Sequence, residues 1–318
     1  MKKRNNVFEQ VEQYVAQRRN LGYRLTTDEG LLLHFAKYVS DSGHQGCLTS
    51  DLMLRWVRLP LQAKPSYLIR RLATVRSFAK YLSIHEPQTE ILPSRVLGLV
   101  YRRPEPHIYS EHEIERLLRA CGDLRPRNGL RPQTYRTLFA LLAVTGLRIS
   151  EALKLHRDGV DLARCVLIIR DSKFRKSRLV PIHETTREAL RRYADRRDRY
   201  LLAAKARTFF LSENGRAIPY PTVRGMFNTL RQRLGWEGND GRKAPRIQDL
   251  RHTFVCRRIL LWYEQGVDVD QFIPVLSTYL GHAKVTDTYW YLTATPDLLA
   301  VTAKRFEQYT QSKKEGIL

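Results

Sequence analysis

The sequence predicts a mainly helical chain with one small antiparallel sheet, an α+β architecture divided into two domains. Three observations support this. Apolar residues recur at helical spacing through residues 1–86, beginning with Phe8, Val11, Tyr14 and Val15. Strand character is confined to short runs rich in Val, Ile, Leu or Phe at 165–170, 178–182 and 208–211. At 318 residues the chain is longer than one hydrophobic core usually supports, and a hydrophobic fraction of 43% suffices for packed interiors.

The elements follow in order. The first helix stops near Leu21 and Gly22, and a second begins around Thr27, carrying Leu31, Leu32, Phe35 and Tyr38 up to the breaker Asp41-Ser42-Gly43. Thr49 or Ser50 can cap a third helix through Leu52, Leu54 and Trp56, which Pro60 closes. A fourth starts near Ser66 and runs through Ile69, Leu72, Val75, Phe78 and Tyr81. Periodicity then fades across 87–107, where Pro87, Pro93, Pro104 and Pro106 indicate an extended linker. The second domain, 108–318, opens at Ser110, which precedes Glu113 by three residues in the form of a capping box. The stretch 135–144 reads as a helix broken at Thr145-Gly146. The next helix carries Arg148, Ser150 and Glu151, and the three-residue step places Arg148 and Glu151 on one face, where the carboxylate can orient the guanidinium. The tip between the first two strands, DSKFRKS, holds Lys173, Arg175 and Lys176. From Tyr220 the chain reads as helical to about Gln311, followed by a tail expected to fray.

Charge bounds the function. Lys and Arg number 55 against 32 Asp and Glu, a net +23, which is the footprint of a polyanion partner, most often nucleic acid. Arg70, Arg71, Arg76 and Lys80 form a basic face on the fourth helix, suited either to lying on DNA or to plain solvation, and Arg102 and Arg103 in the linker can touch phosphate. The four cysteines (Cys47, Cys121, Cys165, Cys256) are widely spaced, which suggests neither a zinc site nor a disulfide framework and fits a reducing cytosol. No apolar run approaches membrane-spanning length and MKKRNN does not resemble a secretory leader, so a cytoplasmic, nucleoid-associated location is expected.

The chemistry lies in four stretches of the second domain: TGLRISEALKL at 145–155, SKFRKSRLVPI at 172–182, QDLRHTF at 248–254 and LGHAKVTDTYWY at 280–291. Two arginines, a histidine and a late tyrosine are what attack on a phosphodiester requires if no metal takes part. In this order, with a nine-residue step from His282 to Tyr291, the stretches resemble the tyrosine recombinases, the phage integrase family. The resemblance spans the whole catalytic half. The N-terminal helices resemble the family's helical core-binding (SAM-like) domain more loosely, and the closing TYWYLTATPDLL resembles a subgroup carried on transposable elements.

The resemblance implies a site-specific recombinase that cuts and rejoins DNA through a 3′-phosphotyrosyl bond, with no metal, ATP or other cofactor. Arg148 and Arg251 would clamp the scissile phosphate, where guanidinium groups stabilise the charge of the five-coordinate state. Lys173 would protonate the leaving 5′-oxygen. Register from Val180-Pro181 favours it, with Lys176 as competitor and Arg175 nearby. His282 would bond the phosphate, and Tyr291 would be the nucleophile, Tyr289 being two residues out of the family spacing. Gln248 stands where the family usually has a histidine, and an amide can donate a hydrogen bond but cannot shuttle a proton, so the proton acceptor stays open between His252 and His282.

Blander roles are weighed beside these. His252, Tyr279, Tyr289 and Trp290 read as packing or supporting side chains, and Arg148 and Arg251 could be structural ion pairs with Glu151 and Asp249. The resemblance also implies double-stranded DNA as partner, a clamp of two domains around it, a homotetramer on synapsed DNA from a monomer in solution, and co-encoded recombinases. The segment from Pro296 to Tyr309 has helical periodicity that could dock on a neighbouring protomer or on its own domain. Competing functions are a topoisomerase of the type IB kind, a catalytically weakened accessory recombinase, and an RNA- or ribosome-binding protein.

Overall fold

The structure, a computed structural model, describes residues 7–23, 25–99, 105–170, 177–201, 206–238 and 244–293. The chain divides into two compact units, Met1–Pro104 and Glu105–Leu318, each with its own core.

The first unit holds α1 (Val7–Asn20), α2 (Thr26–Asp41), α3 (Ser50–Arg58) and α4 (Pro65–Leu82). Thr49 Oγ1 accepts the Leu52 N–H and starts α3, while Pro65 opens α4 at a position where an N–H has no intrahelical partner to lose. Leu32, Phe35, Met53, Trp56, Val75 and Phe78 are fully buried, with the Phe35 and Trp56 rings edge to face at 5.1 Å. Residues 87–99, expected as linker, pack on this unit instead. Leu92 is buried, its carbonyl accepts Arg76 Nε at 2.7 Å, and the Glu90 N–H donates to Leu48 O at 2.9 Å. Pro87 and Pro93 end helical periodicity, but a non-helical segment can still seat one leucine and satisfy its backbone groups.

The basic face expected on α4 is only partly present. Arg71 is 3% exposed, its guanidinium stacks 3.7 Å from the Trp56 ring and donates to the Trp56 carbonyl, so it is a packing residue that cannot reach a phosphate. Arg70 is exposed but ion-paired to Asp28 at 3.0 Å, Arg76 is tied to Leu92, and Lys80 projects into solvent. Arg102 and Arg103 lie outside the described residues.

The second unit runs α5 (Glu111–Gly122), α6 (Arg131–Thr145), α7 (Ile149–Lys154), β1 (Val160–Asp161), β2 (Val166–Ile169), β3 (Arg178–Pro181), α8 (Glu184–Tyr200), α9 (Tyr220–Arg233), α10 (Ile247–Glu264), α11 (Val269–Leu280) and α12 (Thr286–Tyr289), then a 3-10 turn at Trp290–Thr293. The capping box forms at α5: Ser110 Oγ accepts the Glu113 N–H at 3.1 Å, and Glu113 accepts the Ser110 N–H at 2.7 Å. The sheet is antiparallel in the order β1-β2-β3, with Leu167 opposite Val180 and Ile169 opposite Arg178. Leu167, Ile169 and Val180 are buried while Leu179 is exposed, so the two-residue period turns Arg178 inward with Val180.

One reading of this unit changes. The third strand is β1, whereas Thr208 and Leu211 make only single bridges, to His156 and Ala217. The intervening Phe209 and Phe210 are buried against Tyr193, so their β-like composition reflects core filling. Helix α8, a stretch with no element assigned from the sequence, buries Leu190, Tyr193, Ala194 and Arg197 at helical spacing, while Arg191 and Arg192 pair along its surface with Glu188 and Asp195.

Candidate active site

The site assembles around the C-terminal end of α11. Helix α6 stops at Gly146, whose φ of 62° is left-handed and whose missing Cβ leaves room for Phe254; a Cβ there would lie 2.5 Å from that ring. This turn presents two things at once. The Gly146 carbonyl accepts Arg251 Nη1 at 2.7 Å, and two residues later Arg148 stands as N-cap of α7. Arg148 and Glu151 therefore meet through cap geometry, Glu151 accepting the Arg148 N–H at 3.0 Å and its Nη1 at 2.9 Å, and not through a shared helical face.

Helix α11 ends at Gly281, again left-handed at φ 67°. Its last carbonyls collect both guanidinium groups. Leu280 O accepts Arg251 Nη2 at 2.9 Å and Arg148 Nη1 at 3.4 Å, and Gly281 O accepts Arg148 Nη2 at 3.1 Å. Helix C-termini carry partial negative charge and unpaired carbonyls, which is why two cations can gather there. The next residue, His282, receives Arg251 Nη2 on Nε2 at 2.9 Å, and its Nδ1 lies 2.7 Å from Thr288 Oγ1. Because arginine only donates, Nε2 is the acceptor, and the ring proton sits on Nδ1 and is donated to Thr288.

Arg251 is 2% exposed and, among the described residues, bonds to carbonyls and His282 instead of a carboxylate. Asp249, its conceivable ion-pair partner, is bound to Arg246 at 2.6 Å. Burial, and secondly the charge of nearby Arg148, push Arg251 down to about 10, so it stays cationic at neutral pH. Glu151 behaves oppositely. Burial pushes its carboxyl up, but bonds from Arg178 and then Arg148 outweigh that and hold it below the usual carboxylate range. Two guanidinium groups, Arg148 and Arg178, thus share one buried carboxylate, and Arg251 beside them bonds none among the described residues, leaving a surplus of positive charge for an anion.

Tyr291 is 2% exposed, whereas Tyr289 is 40% exposed and turned to solvent. The Tyr291 ring is parallel to His282 at 6.3 Å and lies 5.3 Å from His252 and 5.2 Å from Trp290. Tyr289 is therefore not the packing aromatic that its neighbours suggested. Tyr279 stacks on Phe254 at 5.8 Å.

Comparison with known proteins gives the family. Residues 108–297 match the model of the phage integrase family. The chain belongs to that family. Among relatives, a putative integrase/recombinase y4rB of Sinorhizobium fredii is 39% identical over 304 residues, covering 94% of this chain and 96% of the relative. Tyrosine recombinase XerC of Chlorobaculum tepidum is 30% identical, covering 84% and 82%. Two solved structures share the fold. The Tn1549 transposon integrase in complex with transposon right end DNA has a TM-score of 0.67 at 17% identity, covering 94% of this chain and 99% of that one. The XerH site-specific recombinase bound to palindromic difH substrate has 0.67 at 18%, covering 94% and 85%. The protein is a tyrosine site-specific recombinase.

The fold of this recombinase brings Arg148, Arg251, His282, Tyr291, His252 and Glu151 together. Gln248 sits one turn before Arg251 on α10 and is exposed. Lys173, Arg175 and Lys176 lie outside the described residues, between the paired ends Ile169 and Arg178 of the hairpin. Sequence reasoning missed Thr288, the partner of His282, and Arg178, the second partner of Glu151. A charged residue on the inward parity of a strand was the available signal for Arg178. Thr288 offered none, since its partner depends on how α12 folds back on His282. Among the described residues, no group of three or more His, Cys, Asp or Glu side chains is arranged to hold a metal ion, and no helix is long and apolar enough to cross a membrane.

Proposed function

We propose that this recombinase cuts and rejoins duplex DNA through a covalent 3′-phosphotyrosyl intermediate formed by Tyr291. The observation that carries the reading is the convergence of Arg148, Arg251 and His282 at one helix end with Tyr291 against His282. A scissile phosphate placed there would replace carbonyls as the acceptor of both guanidinium groups. The Tyr291 oxygen attacks phosphorus, the bond to the 5′-oxygen breaks, and Lys173 supplies the proton that the leaving oxygen needs. The Tyr291 proton passes to a neighbouring base, and His252 and His282 are the imidazoles nearest its ring. Gln248 contributes a hydrogen bond to the phosphate. Charge concentrating on phosphorus is met by preplaced cations, and removing one such donor slows reaction roughly 10²- to 10³-fold. Rejoining reverses the exchange with a 5′-hydroxyl as nucleophile, so energy is kept in the phosphotyrosyl bond and the scheme draws on no metal or ATP.

The helical first unit serves as core-binding domain. Arg70, Arg76, Lys80, Arg102, Arg103, Arg175 and Lys176 are proposed DNA contacts, and Arg71 is withdrawn from that set. Exchange between two duplexes needs four active sites, so the chain acts as a tetramer on synapsed DNA, with co-encoded recombinases as candidate partners, in the cytoplasm. The Tn1549 neighbour and the TYWYLTATPDLL ending favour a transposable-element substrate. Gln248 supports a second reading, a catalytically weakened accessory recombinase.

Covalent trapping tests both. Purified protein, Tyr291→Phe and Tyr289→Phe are mixed with nicked duplexes bearing the ends of the parent element, in chelator, and resolved on denaturing gels. An adduct lost only in Tyr291→Phe is expected. Tight duplex binding with no adduct from the wild type would transfer support to the accessory reading.

A further inference from the structure

We infer that Arg178 is a positioning residue that keeps the Arg148 guanidinium available to the scissile phosphate. The inference rests on the proposed role of Arg148 as a phosphate clamp. Its basis is how Glu151 divides its two oxygens. Oε1 accepts Arg178 Nη1 at 3.0 Å and Arg148 Nη1 at 2.9 Å; Oε2 accepts Arg178 Nη2 at 2.9 Å and the Arg148 backbone N–H at 3.0 Å. Arg178 therefore holds the carboxylate through a two-pronged pair, while the Arg148 side chain gets a single prong.

A two-pronged pair is the arrangement an arginine and a carboxylate adopt when nothing competes. With Arg178 absent, Glu151 and Arg148 are close enough to close on each other, and a guanidinium with both prongs on Glu151 has fewer donors and less net charge for phosphate. Arg178 is itself fixed. It comes from the inward parity of β3, its Nε donates to Tyr279 O at 2.8 Å, and its side chain is 10% exposed. Room for it is made by Gly281, where a Cβ would lie 2.6 Å from Arg178 Nη1. That glycine thus serves two ends, the left-handed turn that ends α11 and the passage of Arg178. The residue consequently ties the hairpin to the Arg148 cap and to the Leu280-Gly281-His282 turn.

The test uses cleavage of nicked duplexes by the full chain, comparing wild type, Arg178→Lys, Arg178→Ala and Arg148→Ala. Three scissile linkages are used: phosphodiester, methylphosphonate and 5′-bridging phosphorothiolate. A methylphosphonate lacks the anionic oxygen an arginine must neutralise, and a thiol leaving group needs no general acid. Arg178→Lys keeps charge but cannot form the two-pronged pair. It is expected to slow phosphodiester cleavage roughly 10- to 100-fold, as misplacement of a catalytic group by about 1 Å does. On the methylphosphonate it should run within a few-fold of wild type, matching the pattern of Arg148→Ala. Equal loss on all three linkages, or a phosphodiester rate within twofold of wild type, overturns the inference. Recovery by bridging sulfur but not by methylphosphonate overturns it too, since Arg178 would then serve the hairpin lysine. If Arg148→Ala itself shows no methylphosphonate recovery, the phosphate-clamp reading of Arg148 has failed as well; if Arg148→Ala recovers and the Arg178 variants do not, only the Arg178 inference has.

Discussion

Replacing Glu151 with Gln should destabilise the second unit by about 3 kcal/mol, and the structure sets that figure. The carboxylate accepts four bonds of 2.9–3.0 Å from Arg148 and Arg178. Glutamine retains one acceptor oxygen and turns an amide N–H₂ toward guanidinium donors, so two of the four bonds are lost. Hydrogen bonds to charged groups contribute about 1.5–3 kcal/mol each, an upper sum of about 6. Breaking a buried pair by removing one partner costs about 3–5 kcal/mol. The lower end applies, because the Arg148 side chain is 24% exposed and both arginines keep backbone carbonyl partners. For a unit of roughly 200 residues, about 3 kcal/mol is about 6–12 °C in Tm. The pH dependence carries a sign. Glu151 has its folded pKa below the ordinary 4.5, so its contribution is complete above that value and is lost as pH falls through the lower folded pKa. Thermal unfolding of wild type and Glu151→Gln from pH 7 to pH 3 should therefore show a gap that narrows below about 4.5. A gap under about 1 kcal/mol at pH 7, or one that widens in acid, refutes the reasoning.

Three further outcomes are expected. Thr288→Val removes the acceptor of His282 Nδ1 and should slow cleavage on the order of 10-fold, as loss of a ring-orienting partner does elsewhere, with Thr288→Ser near wild type; equal rates for both variants would count against the tautomer assigned to His282. Arg71→Ala should lower the stability of the first unit by about 2–3 kcal/mol while leaving the salt slope of DNA binding unchanged, whereas Lys80→Ala should do the reverse, reducing the slope by about 1; denaturant melts and binding titrations across salt read both. Gly146→Ala places a methyl against Phe254 at a left-handed φ and should cost about 2–3 kcal/mol, part of which Phe254→Leu restores; no recovery in the double variant would mean that the strain lies in the backbone alone.

Much of the site was readable beforehand because its elements are local. Gly146 marks a helix end, the Ser110 capping box is a four-residue pattern, and the order of the four stretches is itself a linear property, whereas the helix end at Gly281 emerged only in the fold. What stayed hidden has particular causes. Arg71 and Arg70 are adjacent in the chain, yet one stacks on Trp56 and the other pairs with Asp28, a difference decided by which side of α4 faces the core. Helix α8 shows only a narrow apolar stripe, Leu190, Tyr193 and Ala194, because charged side chains cover most of its surface. Phe209 and Phe210 imitate a strand because core aromatics and strand residues are the same residue types.

By itself, the sequence determined the two-domain α+β plan, the family and hence the reaction class, and the identities of Arg148, Arg251, His282 and Tyr291 as candidates, all of which depend on residue order and short-range periodicity. Only the tertiary structure decided that Glu151 answers to Arg178 as well as to Arg148, that His282 carries its proton on Nδ1, that Tyr291 is buried while Tyr289 is not, and that Asp249 belongs to Arg246. The physical reason is that a charged side chain selects its partner by distance and desolvation in space. Arg178 meets Glu151 across 27 residues and the Tyr279 carbonyl across 101, separations over which linear spacing carries no information about contact.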